Sequence, residues 1–214
     1  MFKVKTDSVV GYKEMKIPYT LLSTNEDSKN LVIMLPGAGY SAQAPLFHYS
    51  TGVFLNKSFD VLQVNYSYND EFYDDFSIDE ISEAIKNDVR VVMDQVLVDR
   101  SYESFYLIGK SLGTIALASE LKRNIFKDAK AVWLTPLIKR EDVFEAMVKA
   151  ENRGLCFIGD NDQHYNAERY EQIVQNTNIV STLFPNANHG LQYENDPVTS
   201  IDVLKSVIKE IYEF

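Results

Sequence analysis

Serine, histidine and aspartate supply a nucleophile, a proton carrier and an orienting acid when they share one site. Ser111 stands at the centre of Gly109-Lys110-Ser111-Leu112-Gly113. The apolar run Phe105 to Ile108 leads into it. Ile115, Ala116, Leu117, Ala118 and Leu121 follow as a helix with a small-residue face. G-x-S-x-G between a strand and a helix is a nucleophile elbow. The turn is so tight that side chains two before and two after the serine would strike neighbouring backbone, and the serine itself is held in a strained conformation. A hydroxyl is a weak nucleophile near neutral pH, so it needs a base within reach. His189, in Pro185-Asn186-Ala187-Asn188-His189-Gly190, is the candidate base. Asp160 and Asp162, in Gly159-Asp160-Asn161-Asp162, are the candidate acids. His48 falls in a predicted helix before the elbow. His164 lies only two residues from the acid it would have to face.

Gly109-Lys110-Ser111 also matches the end of a phosphate-binding loop, G-x-x-x-x-G-K-[ST]. That pattern requires glycine at position 104, where this chain has Ser104, and a loop where this chain has a strand. Lys110 reads as a partly solvated elbow residue rather than an anchor for an anionic acyl group.

The elements that must position these residues follow from periodicity. Residues 2–5 and 15–22 read as an antiparallel pair of strands. Asn30 to Leu35 is a nearly continuous apolar strand, ending in Pro36-Gly37-Ala38-Gly39-Tyr40. A helix is predicted around 45–55, then a strand at Val61 to Val64. Ser77 and Glu80 form a capping box ahead of a helix whose core face carries Ile78, Ile81, Ile85, Val89, Val92, Met93 and Val96. After the elbow come a strand at Ala131 to Leu134, a helix at 141–150, a strand at Leu155 to Ile158, a helix around 166–175 and a strand at Ile179 to Phe184. Asp196 and Pro197 open the last helix, with Ile201, Leu204, Ile208 and Ile211 as its expected core face. Strand and helix alternate from residue 30 onward, which predicts a three-layer α/β/α sandwich around a mostly parallel sheet. The span from 134 to 154 holds one helix and little room for a cap, so residues 1–214 read as a single domain.

In parallel sheets the chemistry lies beyond the carboxyl ends of the strands. Those ends carry the Ala38 loop, Tyr66 and Tyr68, Ser111, Thr135 to Leu137, Asp160 to Asp162, and His189. The chain order is serine, acid, histidine, the order expected when G-x-S-x-G comes first.

With these residues in view, the chain resembles the α/β-hydrolase fold superfamily, in its small capless branch of dienelactone-hydrolase-like and carboxylesterase-like enzymes. The resemblance covers roughly residues 30–214. Gly109 to Gly113 matches the family's elbow, Gly159-Asp160-Asn161-Asp162 its acid turn, and Asn188-His189-Gly190 its late histidine loop. Pro36-Gly37-Ala38-Gly39 corresponds to its oxyanion loop, with proline in place of histidine. From the residues alone Asp160 follows its strand more closely; the family's spacing favours Asp162. The resemblance implies a serine hydrolase acting on an ester or thioester through Ser111, with His189 as base. The Leu112 and Ala38 amides would form the oxyanion hole, with Tyr40 as the alternative first donor. Tyr40, Tyr66 and Pro136 would wall the substrate pocket. No metal or cofactor is implied. The alternatives are an acyltransferase on the same site, or an inactive protein of the same fold that binds a small ligand.

The composition bounds these readings. The chain has 214 residues, 45% hydrophobic and 24% charged, with a net charge of −10. That charge argues against nucleic acid or an anionic membrane as the main partner. The lone Cys156 lies in an apolar run and reads as a buried core residue. The N-terminal residues lack a signal peptide's apolar core, and no run of 18 apolar residues exists. A cytoplasmic protein is expected, with a small-molecule partner.

Overall fold

A computed structural model describes residues 2–24 and 28–214. Its centre is an eight-stranded sheet. The strands are β1 (Lys3–Val10), β2 (Lys16–Ser23), β3 (Asn30–Leu35), β4 (Asp60–Val64), β5 (Ser104–Lys110), β6 (Lys130–Leu134), β7 (Gly154–Gly159) and β8 (Ile179–Phe184). They lie in the order β1-β2-β4-β3-β5-β6-β7-β8. β2 runs antiparallel to β1 and β4; every other pairing is parallel. The crossovers carry α1 (Pro45–Asn56), α2 (Ile78–Asp99), α3 (Gly113–Glu120), α4 (Glu141–Val148), α5 (Ala167–Val174) and, at the end, α6 (Pro197–Glu213). The sheet is open, with helices on both faces.

Two apolar layers hold it. One packs α2, α3 and α4 on the sheet through residues such as Ile85, Val89, Ile115, Leu117 and Trp133. The other packs α1 and α6 through Phe47, Phe54, Val203, Val207 and Ile211. β3 and β6 are buried along nearly their whole length, as their unbroken apolar runs require.

Three local expectations are revised. β1 extends to Val10, well beyond residue 5. It is an edge strand with almost every side chain exposed, so no buried period marks it, and its length comes from pairing Lys3 to Val10 with β2. On α6 the side chains facing the sheet are Val203, Val207 and Ile211, while Ile201 is 61% exposed. Apolar residues cover a wide arc of that helix, and packing against α1 chooses the Val203 side. Ile78 is likewise exposed at the start of α2. There Ser77 Oγ accepts the Glu80 N–H at 3.2 Å, but the Glu80 carboxylate pairs with Lys13 at 2.6 Å.

The connection between β6 and β7 carries α4 alone. The loop after β4 folds inward: Tyr66, Tyr68 and Tyr73 are buried, and Tyr68 donates to the Asp88 carboxylate on α2.

Candidate active site

β5 delivers Ser111 to the carboxyl edge of the sheet. Ser111 has φ 51°, in the left-handed region that a residue with a Cβ seldom adopts. Its N–H donates to the Leu134 carbonyl at 3.0 Å, which ties the elbow to the end of β6. Gly113 explains the second glycine of the motif: a Cβ there would overlap the carbonyl oxygen of Leu35 on β3. The elbow helix can pass that close to β3 only without a side chain.

Gly159, at the end of β7, is under the same constraint from the Ala187 carbonyl. The acid turn and the histidine loop therefore touch backbone to backbone, and Asn161 N–H donates to Ala187 O at 3.1 Å. This contact brings Asp162 under His189.

The geometry connects three residues. His189 Nε2 lies 2.8 Å from Ser111 Oγ, and His189 Nδ1 lies 2.7 Å from Asp162 Oδ2. Asp162 is 4% exposed, and its other oxygen accepts the His164 N–H at 2.8 Å. Asp160 points elsewhere: it is exposed and accepts the Asn186 N–H. The His189 loop is stiffened from within, since Asn188 Oδ1 accepts the Gly190 N–H at 2.8 Å. His48 is exposed on α1. His164 sits edge-on to His189, their ring centroids 4.9 Å apart, and burial lowers its pKa.

Of the candidate oxyanion donors, Leu112 opens α3, whose positive end faces the serine. Ala38 is exposed in the loop after β3, and a Cβ on its neighbour Gly37 would lie 3.2 Å from Ser111 Cβ. Among the described residues, neither the Leu112 nor the Ala38 N–H is engaged by another group. The Tyr40 N–H is taken by the Gly37 carbonyl at 3.4 Å.

The three expected pocket residues divide. The Tyr40 ring lines a cleft of about 370 Å³ between the starts of α1 and α6, together with Leu46, Gly190, Leu191, Tyr193 and Leu204. Tyr66 is buried, and its hydroxyl donates to the Pro36 carbonyl, so it braces the loop after β3. Pro136 is buried behind the elbow, and its carbonyl accepts the Ile138 N–H at 2.8 Å.

Lys110 departs from expectation. It is 2% exposed rather than partly solvated, and burial lowers its pKa to about 8 against the opposing pull of the Asp162 charge. Its ammonium reaches Thr135 Oγ1 and the His189 carbonyl. The sequence hint was its place at the end of a strand buried on both faces. Cys156 is fully buried in β7, where burial raises its pKa to about 12. Among the described residues, no helix is long and apolar enough to cross a membrane.

No protein-family model matches this sequence, and neither does any curated protein. Solved structures do match. A serine hydrolase without a lid from Xanthomonas campestris is 14% identical, with 99% of this chain and 94% of that one covered and a TM-score of 0.70. A dienelactone hydrolase from Anabaena variabilis is 18% identical, with 99% and 96% covered and a TM-score of 0.72. An α/β serine hydrolase homologue from Coxiella burnetii is 13% identical, with 96% of each chain covered and a TM-score of 0.71. Strand order, crossovers and these likenesses together show that the chain has the α/β-hydrolase fold, of the kind seen in lidless and dienelactone hydrolases.

Proposed function

We propose that this protein is a serine hydrolase that cleaves a carboxylic ester or thioester of modest size. The observation that carries the reading is the continuous hydrogen-bonded path from Ser111 Oγ through both ring nitrogens of His189 to buried Asp162. The strained backbone at Ser111 supports it.

In this reading Ser111 Oγ attacks the substrate carbonyl carbon as His189 Nε2 takes the hydroxyl proton. Asp162 holds Nδ1–H, which leaves Nε2 free to accept, and it stabilises the imidazolium that forms. The Leu112 and Ala38 N–H groups hold the oxyanion; one such donor contributes on the order of 3 kcal/mol to the transition state. The C–O or C–S bond then breaks, and His189 passes its proton to the leaving atom. Water attacks the acyl-enzyme by the same route, releasing the acid and restoring the Ser111 hydroxyl. The cleft beside Tyr40 and Gly190 is walled mostly by apolar side chains and adjoins the residue that protonates the leaving group. An apolar part of the substrate suits it.

A fluorophosphonate probe tests the reading. Labelling of the wild type that disappears in Ser111→Ala and His189→Ala, with parallel loss of p-nitrophenyl ester hydrolysis, is expected. A well-folded wild type that neither labels nor hydrolyses esters or thioesters would sink it, and tight binding of a small ligand by such a protein would favour the inactive binding reading.

A further inference from the structure

The His189 imidazole is fixed at Nδ1 by Asp162, but its backbone lies in a long loop between β8 and α6. Most backbone ties of that loop lead to itself or to the acid turn. Asn188 N–H donates to Gln192 O at 2.9 Å, Leu191 N–H to Asn188 O at 2.9 Å, and Ala187 O accepts from Asn161 N–H at 3.1 Å. These ties hold the base against its acid. They do not hold it against the nucleophile.

Lys110 supplies that link. It directly precedes Ser111, and its ammonium donates to the His189 backbone carbonyl at 2.9 Å and to Thr135 Oγ1 at 2.8 Å. Nζ also lies 4.8 Å from the centre of the Tyr40 ring, in the loop after β3. Among the described residues it is the group that hydrogen-bonds the histidine loop's backbone to the elbow strand. Lysine is seldom buried this fully, and burying its charge is costly. Among the described residues no carboxylate hydrogen-bonds it; its partners are a hydroxyl, a carbonyl and a ring face.

Thr135 adds an independent observation. It has φ 41° at the end of β6, a left-handed conformation that is an outlier for a β-branched residue. Its N–H is held by Phe157 O at 2.7 Å and its hydroxyl meets Lys110. Such strain persists where the surroundings impose it, and it gathers at functional sites.

We propose that Lys110, steadied by Thr135, is a positioning residue that clips the histidine loop to the elbow and keeps His189 Nε2 within reach of Ser111 Oγ. This rests on the reading of Ser111 as the nucleophile. Displacing a catalytic group by about 1 Å costs on the order of a hundredfold in rate, so a loosened loop is felt in kcat before KM.

The test compares wild type, Lys110→Met and Thr135→Val by p-nitrophenyl acetate hydrolysis, fluorophosphonate labelling rate, thermal unfolding and the nitrogen-15 NMR resonance of His189 Nε2, the atom that meets Ser111 Oγ. Lys110→Met is expected to unfold at or above the wild-type temperature. Its kcat and labelling rate should fall about tenfold or more with KM nearly unchanged, and its Nε2 resonance should shift and broaden as the Ser111 hydrogen bond is lost. Wild-type kcat and labelling rate in Lys110→Met would overturn the proposal. If Lys110→Met does not fold, Thr135→Val decides, since it keeps the lysine and removes one partner: a kcat loss supports the clip and an unchanged kcat refutes it. If the wild type itself neither labels nor hydrolyses, the hydrolase reading fails separately. The Nε2 resonance then judges the clip alone, shifting and broadening in Lys110→Met for it and staying as in wild type against it.

Discussion

Ser111 Oγ and His189 Nε2 stand 2.8 Å apart although they lie 78 positions apart in the chain. The elbow sets one end of that distance and the loop after β8 sets the other. Everything proposed about this protein's chemistry depends on how the two are held.

The acid is the first point to test. Asp162 Oδ2 meets His189 Nδ1 at 2.7 Å, while Asp160 is exposed and bonds the Asn186 N–H. Asp162→Asn is expected to lower kcat by about 10⁴-fold, the scale of losing the orienting carboxylate. Asp160→Asn should stay within about threefold, since surface changes away from the reacting atoms cost little. Ester hydrolysis under saturating substrate distinguishes them, and the reverse ranking would transfer the role to Asp160.

Gly113 offers a test of the packing that builds the elbow. A Cβ there would strike the Leu35 carbonyl. Gly113→Ala is expected to destabilise the protein by about 3 kcal/mol or more, the upper range of core overpacking. Urea unfolding measures it, and a wild-type midpoint would mean that β3 and the elbow yield more easily than this geometry implies.

Lys110 makes stability depend on pH in a defined direction. Burial lowers its pKa from 10.5 to about 8. Between those values the unfolded chain carries the proton and the folded chain does not, so this group makes stability rise with pH from about 8 to 10.5. Below pH 8 the buried charge costs its full amount, about 3 kcal/mol. The hydrogen bonds to Thr135 and His189 return about 1 kcal/mol each. Lys110→Met should therefore be as stable as wild type or slightly more so at pH 7, and wild type should gain about 3 kcal/mol on it from pH 8 to 10.5, enough to overtake it. Chemical denaturation across that range would expose a wrong sign.

The two faces of α6 can be separated by truncation. Val207 is fully buried and Ile201 is 61% exposed. Val207→Ala is expected to cost about 2 kcal/mol, in line with other buried aliphatic deletions. Ile201→Ala should change stability by less than about 0.5 kcal/mol. Equal losses would return Ile201 to the core.

Several of these features were readable from residue order alone. Phe105 to Gly113 announces a strand, a tight turn and a helix because apolar periodicity and glycine placement are local properties. The alternation of buried strands and helices from residue 30 implies a parallel sheet, and a parallel sheet puts its strand ends on one edge. Ser111, His189 and both aspartates therefore belong to that edge by residue order alone. Tertiary structure decided what depends on direction and neighbours. One residue separates Asp160 from Asp162, and only the path of the turn against Ala187 determines which carboxylate meets the imidazole. Lys110 is charged by type but buried by place, because the histidine loop and Thr135 close over it. The length of β1 and the inward face of α6 were hidden for one physical reason: an exposed edge strand has no buried period, and a broadly apolar helix has more than one, so in each case the partner makes the choice.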